Sequence, residues 1–247
     1  SSSMATFKLT IEYDGTAYAG WQRQPVQPTV QATVEAALQR ITQSYIPVIG
    51  AGRTDAGVHA LGQVASFRTE KALSVEEWGR ALNALLPNDI SVRSAEPVAD
   101  DFHARYSAKE KLYEYRILNQ MERSALDHKR SWQIRKPLDL TAMRESASLL
   151  VGRHDFSSFQ GSPTDNKNPT CDLRRLEIKQ GQTLIQIEAQ ADRFLKQMVR
   201  AIVGTLVEVG QGKRSPKSVK ETLEARDRRV AGMTAPAHGL YLVRVDY

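Results

Sequence analysis

Cysteine occurs once, at Cys171. A lone thiol forms no internal disulfide and excludes a cysteine-rich zinc site. A reducing cytoplasm is therefore the expected compartment. No apolar run is long enough to span a bilayer. The N-terminus also lacks the charged start and apolar core of a secretory signal, so no membrane partner is expected. The three serines ahead of Met4 are set aside. Two phosphate-binding patterns are missing, the G-x-x-x-x-G-K-S/T loop and the G-x-G-x-x-G turn, as is a helical pair of metal-binding histidines.

What is present is that of a globular chain, with 41% hydrophobic and 25% charged residues in 247. Lys and Arg number 34 against 28 Asp and Glu, a net charge of +6, and there is no acidic tail. Basic clusters recur at Lys109 and Lys111, Lys129-Arg130, Arg135-Lys136, Arg174-Arg175, Lys213-Arg214 and Arg226 to Arg229. That pattern suits a polyanionic partner such as nucleic acid.

Hydrophobic periodicity gives the architecture. Phe7 to Tyr13 alternates as a half-buried strand. Val30, Val34, Leu38 and Ile41 follow a helical face. Strand signals come at Val48-Ile49 and Val64 to Phe67, and a Ser74/Glu77 capping box opens a second helix. Ile90 to Arg93 is a further strand. The order is β-α-β-β-α-β, and the second half repeats it without a residue-level repeat. There Leu112 to Ile117 is a strand and Leu140 to Leu150 a helix. Leu173 to Ala189 forms a hairpin around Gln180-Gly181-Gln182. Phe194 to Leu206 reads as a buried helix, an extra helix opens with Pro216 at its first position, and Leu240 to Val245 closes the chain. The fold class is α+β: two tandem ferredoxin-like (split βαβ) halves, 4–108 and 109–247, with mainly antiparallel sheets and a cleft between them as the natural site. The loop Gln160 to Thr170 is expected to be mobile, as either an RNA contact or a plain surface loop.

The least ordinary stretch is Ala51-Gly52-Arg53-Thr54-Asp55-Ala56-Gly57-Val58-His59-Ala60. Two glycines bracket Arg-Thr-Asp, permitting a sharp turn that fixes a carboxylate. An extended Arg53–Asp55 segment would point both charged side chains to one face. Such a carboxylate suits a nucleophile or a base.

This stretch resembles the signature of the tRNA pseudouridine synthase A family. So do Glu12-Tyr13-Asp14-Gly15, Gly20-Trp21-Gln22-Arg23-Gln24, Asp101-Phe102-His103-Ala104-Arg105, Met198 to Gly204 and Gly239-Leu240-Tyr241-Leu242. The resemblance spans nearly the whole chain. It implies sheets joined edge to edge, a homodimer, and cytoplasmic isomerisation of uridines at positions 38 to 40 of the tRNA anticodon stem-loop. It implies Asp55 as the essential aspartate and Tyr113 as the active-site tyrosine stacking on the everted uracil. It also implies Arg200 as the partner of Asp55, with Arg53 holding the RNA backbone or the vacated base position. The reaction exchanges no electrons and loses no group, so neither metal nor other cofactor is expected. His59 is given no role, and Phe102 to Arg105 is read as packing or RNA contact. Two rivals from other classes are a non-catalytic RNA-binding module and a metal-dependent hydrolase using Asp55 and His59.

Overall fold

The computed structural model describes residues 3–247, so of the serines set aside above, Ser1 and Ser2 lie outside the described residues. The chain divides into two compact units. One runs to Lys109 and includes Leu242–Tyr247; the other is Glu110–Tyr241.

In the first unit, strand β1 (Ala5–Tyr13) is followed by helix α1 (Val30–Thr42), the short β2 (Ile49–Gly50) and β3 (His59–Thr69). Helix α2 (Val75–Leu85) and β4 (Ile90–Val98) complete it. Strand β1 lies between β4 and β3 and is antiparallel to both, while β2 pairs antiparallel with β3. This is the split βαβ order. Phe7, Leu9, Ile11 and Tyr13 alternate onto the buried face of β1. The rings of Phe7, Phe67 and Trp78 pack at 5.1 to 5.7 Å between centroids. Helix α1 is capped by Thr29, and α2 by the Ser74/Glu77 box. Strand β4 runs five residues past the expected Arg93, through Pro97. Proline is tolerated there because β4 ends the strand order, where the missing N–H breaks no ladder.

Gly79 lies inside α2, and a methyl group added there would meet nothing within 4 Å. Gly79→Ala is expected to stabilise the protein by about 0.5–1 kcal/mol through the unfolded chain. A rise in thermal midpoint of about 2 °C would register it.

The second unit holds β5 (Glu110–Asn119), β6 (Trp132–Ile134), α3 (Leu140–Leu150) and β7 (Gly152–Asp155). Then come β8 (Thr170–Gln180), β9 (Leu184–Ala191), α4 (Met198–Gly210) and α5 (Ser218–Ala225), and the last strand, β10 (Leu240–Asp246), starts in this unit and continues into the first. The order β5-β9-β8-β7 is antiparallel throughout, with the short β6 parallel to β5. The fold is mixed α+β with mostly antiparallel pairing, as the periodicity predicts.

Two helix starts differ from expectation. Helix α4 begins at Met198, and Phe194 lies in the loop before it. Helix α5 begins at Ser218. Pro216 belongs to the preceding turn, where the Ser218 N–H donates to Ser215 O at 3.1 Å. The polar face of the β5-β9-β8 sheet carries a lattice of charge. Arg175 and Lys179 both donate to Glu188, and Gln186 donates to Glu114. Burial pushes the Glu188 carboxyl up, but its Lys179 and Arg175 bonds outweigh that and hold it below the ordinary value.

Cys171 is the second residue of β8 and is buried, which pushes its thiol up to about 11. At neutral pH only about one thiol in 10⁴ is then ionised, so alkylation of the native protein should be negligible. Iodoacetamide labelling with and without denaturant, read by mass, checks this.

Candidate active site

The first part of the site is the loop that follows β2. Residues 52–55 leave the sheet, and the Val58 N–H closes a turn onto Asp55 O at 3.1 Å. Gly57 takes φ +83°, as the glycine punctuation predicts. Thr54 points inward. Its hydroxyl lies 2.7 Å from the Tyr13 hydroxyl, and both groups are buried. Burial pushes the Tyr13 phenol up to about 12, the Thr54 hydrogen bond acting the other way, so it stays a neutral partner. With Thr54 inward, its neighbours reach outward: Arg53 is exposed and Asp55 half-buried.

A second loop grips the first. The Trp21 N–H donates to Thr54 O at 3.1 Å, and the Gly57 N–H donates to Tyr18 O at 3.3 Å. Gly20 has φ +90°, and a methyl group there would lie 2.5 Å from Thr54 O, so only glycine fits. This gripping loop is itself seated on α1. The Val30 and Gln31 N–H groups at the start of α1 donate to Gly20 O and Trp21 O. Arg23 donates to the buried carboxylate of Glu35, which also accepts the Val48 N–H at 2.9 Å. Two of the motifs noted in the sequence, around Tyr13 and around Trp21, are thus the mechanical support of the third.

His59 is buried, and its Nδ1 accepts the Gly15 N–H at 3.0 Å. The same nitrogen lies 3.3 Å from Asp14 Oδ1, so the ring is shared between a backbone N–H and a carboxylate. Phe102 to Arg105 divides by burial. Ala104 is buried and accepts from the Tyr247 hydroxyl at 2.6 Å, while Arg105 is exposed.

In the second unit Tyr113 sits near the start of β5, paired with Ala189 of β9. Its ring meets Phe194 edge-on, centroids 4.9 Å apart and planes at 83°. Phe194 is the residue sequence reasoning placed in a helix, and only tertiary structure shows it against the tyrosine. Tyr115 projects from the same face of β5, and its hydroxyl donates to Pro236 O at 2.7 Å. Burial pushes that phenol well above its ordinary value, and the Arg200 charge acts the other way, which places Arg200 near it.

Arg200 lies in the first turn of α4 and is half-buried. Its Nε donates to Ala235 O at 2.8 Å, and the Ala235 N–H donates back to Arg200 O at 3.0 Å. The segment 232–236 is strapped along α4 by further bonds, the Gly232 N–H donating to Thr205 Oγ1 at 2.9 Å. Arg200 and Tyr113 therefore both stand on the helix side of the second unit's sheet. The loop Gln160 to Thr170 is tied in by Arg193, which donates to Asn168 O and Thr170 O, and by Lys196, which donates to Pro163 O.

Among the described residues no helix is long and apolar enough to cross a membrane.

A family model described as tRNA pseudouridine synthase matches residues 9–107 and 146–247. Asp55 and Arg200 fall within these segments, and Tyr113 in the interval between them. The tRNA pseudouridine synthase A of Moorella thermoacetica is 47% identical over 246 residues, 99% of this chain and 100% of that protein. That of Acetivibrio thermocellus is 45% identical over 244 residues, again 99% and 100%. That of Agrobacterium fabrum is 44% identical over 247 residues, 99% of this chain and 93% of its own. Sequence and fold together define an RNA-modifying isomerase. The chain belongs to the tRNA pseudouridine synthase family.

Proposed function

We propose that this protein converts uridine to pseudouridine at positions 38 to 40 of the tRNA anticodon stem-loop, without a cofactor and with Asp55 as the essential carboxylate. The observation that carries the reading is the clamped loop. Trp21 holds Thr54 O, Tyr13 holds the Thr54 hydroxyl and the 55–58 turn closes behind, so the backbone that carries Asp55 is held on both sides. Fixed geometry is what a carboxylate reacting with a ribose requires.

The chemistry balances internally. The bond from C1′ to uracil N1 breaks, the base turns, and C5 bonds to C1′. The C5 proton is lost and N1 gains one. Asp55 begins this either by attacking C1′, the ester bond breaking as C5 bonds to C1′, or by taking the C2′ proton, which returns to C2′ as the new bond forms. No electron acceptor, phosphate donor or metal enters the balance. The target uridine must leave its stack to be reached. Tyr113, backed by the Phe194 edge, offers a ring against the everted base. Arg200, held by Ala235, is the proposed counter-charge to Asp55, and the exposed Arg53 is proposed to hold the RNA backbone or the vacated base position. A homodimer in the cytoplasm is the proposed setting.

The test is incubation of the purified protein with an unmodified tRNA transcript, followed by carbodiimide labelling and primer extension. Stops at the anticodon-stem uridines, unaffected by chelator, are expected. Salt-sensitive binding with no new stop would make the protein a binding module, and loss of turnover with chelator would overturn cofactor independence.

A further inference from the structure

The β2–β3 ladder stops just short of Asp55. Gly50 pairs with Ala65, and the Ala51 N–H donates to Val64 O at 2.8 Å. At the next step a side chain takes over from the strand. Gln63 Nε2 donates to Gly52 O at 2.7 Å, and Gln63 Oε1 accepts the Gly52 N–H at 3.3 Å and the Val64 N–H at 3.1 Å. A primary amide offers the same donor and acceptor as a peptide group. The Gln63 side chain is therefore one more rung of the ladder, set out from β3 by its own length. The chain at Gly52 splays from the sheet by that distance and no further. Gln63 has no solvent exposure, so water does not compete for these bonds.

Two fixed points result. Gly52 is held by Gln63, and Thr54 is held by Tyr13 and Trp21. Asp55 is the next residue, so its direction follows from those two. We propose that Gln63 is a positioning residue for Asp55, acting through the backbone of Gly52 to set the angle at which the carboxylate meets the ribose. This rests on the pseudouridine synthase reading. A glutamine that only satisfied a buried peptide would affect stability and nothing else.

The experiment compares wild type, Gln63→Leu and Gln63→Glu in single-turnover pseudouridine formation, with tRNA affinity and thermal midpoint measured on the same samples. Gln63→Leu removes both bonds to Gly52 together with those to the Val64 N–H and the Tyr13 hydroxyl, and Gln63→Glu removes the donor. The rate constant of the folded fraction is expected to fall about 100-fold in Gln63→Leu, with tRNA affinity changed less than about twofold, because a small misplacement costs rate rather than binding. Gln63→Glu, which sets a buried carboxylate oxygen against Gly52 O, should fall at least as far. If Gln63→Leu does not fold, Thr54→Val removes the hydroxyl at the second fixed point, and a drop of about tenfold is expected. A folded fraction that turns over at the wild-type rate, with only its midpoint lowered, would overturn the proposal. An inactive wild type would instead sink the pseudouridine reading, and the positioning role with it.

Discussion

Asp55→Asn is expected to leave a folded protein that binds tRNA and forms no measurable pseudouridine. The substitution preserves shape and removes only the negative charge. Asp55 is half-buried, and the loop that carries it is also held by its neighbours' backbone and by Thr54, so the loop's shape does not rest on the carboxylate alone. Loss of a group that acts on the reacting atoms costs about 10³-fold or more, equivalent to about 4 kcal/mol in the barrier. The measurement is single-turnover labelling beside a tRNA binding curve. Retained turnover would remove Asp55 from the mechanism. Lost turnover with lost binding would show instead that the carboxylate shapes the RNA surface.

Gly204→Ala should destabilise the protein severely, against the direction helix propensity gives. Gly204 lies in the middle of α4, where alanine is favoured over glycine by about 1 kcal/mol. A methyl group there would fall far inside contact distance of the Met233 carbonyl, which is backbone. Overpacking against backbone costs about 3 kcal/mol, so the clash wins and the net loss is about 2 kcal/mol. The thermal midpoint should drop by about 6 °C. Gly79→Ala is the control with opposite sign. Met233 also leads into Ala235, which grips Arg200. The folded fraction of Gly204→Ala should therefore lose about tenfold or more in rate, since small displacements in an active site are expensive. An unchanged midpoint would show that the 232–236 strap yields, and an unchanged rate that Arg200 does not depend on it.

The elements were legible wherever burial imposes a period. β1, α1, α2 and the 173–189 hairpin carry clean alternation or helical spacing, because each has one face in the core and one in water. Strand β4 extends past the expected Ile90 to Arg93 because residues 94–98 carry no apolar alternation to reveal it, and the edge position makes Pro97 harmless. Helix α4 was read too long because Phe194 is apolar at helical spacing, while its ring is buried against Tyr113 from a loop. Asp55 stood out because charged residues between glycines are unusual. Gln63 did not, since nothing local distinguishes a strand glutamine facing solvent from one completing a ladder. Tyr13 and Trp21 sat in motifs noted in the sequence, yet their task became visible only when the 13–21 and 52–58 segments were seen side by side.

The bonds made directly to Gly52, Thr54 and Gly57 run between uncharged groups, two hydroxyls, a primary amide and peptide N–H and C=O, and the ion pair of Arg23 with Glu35 lies a step behind them. Mobile ions screen attraction between exposed charges far more than they weaken such buried neutral bonds. Binding of RNA phosphates by lysines and arginines and the shape of the 52–58 loop should thus respond differently to added potassium chloride. Saturating tRNA should restore nearly full turnover at ionic strengths where dilute substrate is scarcely processed.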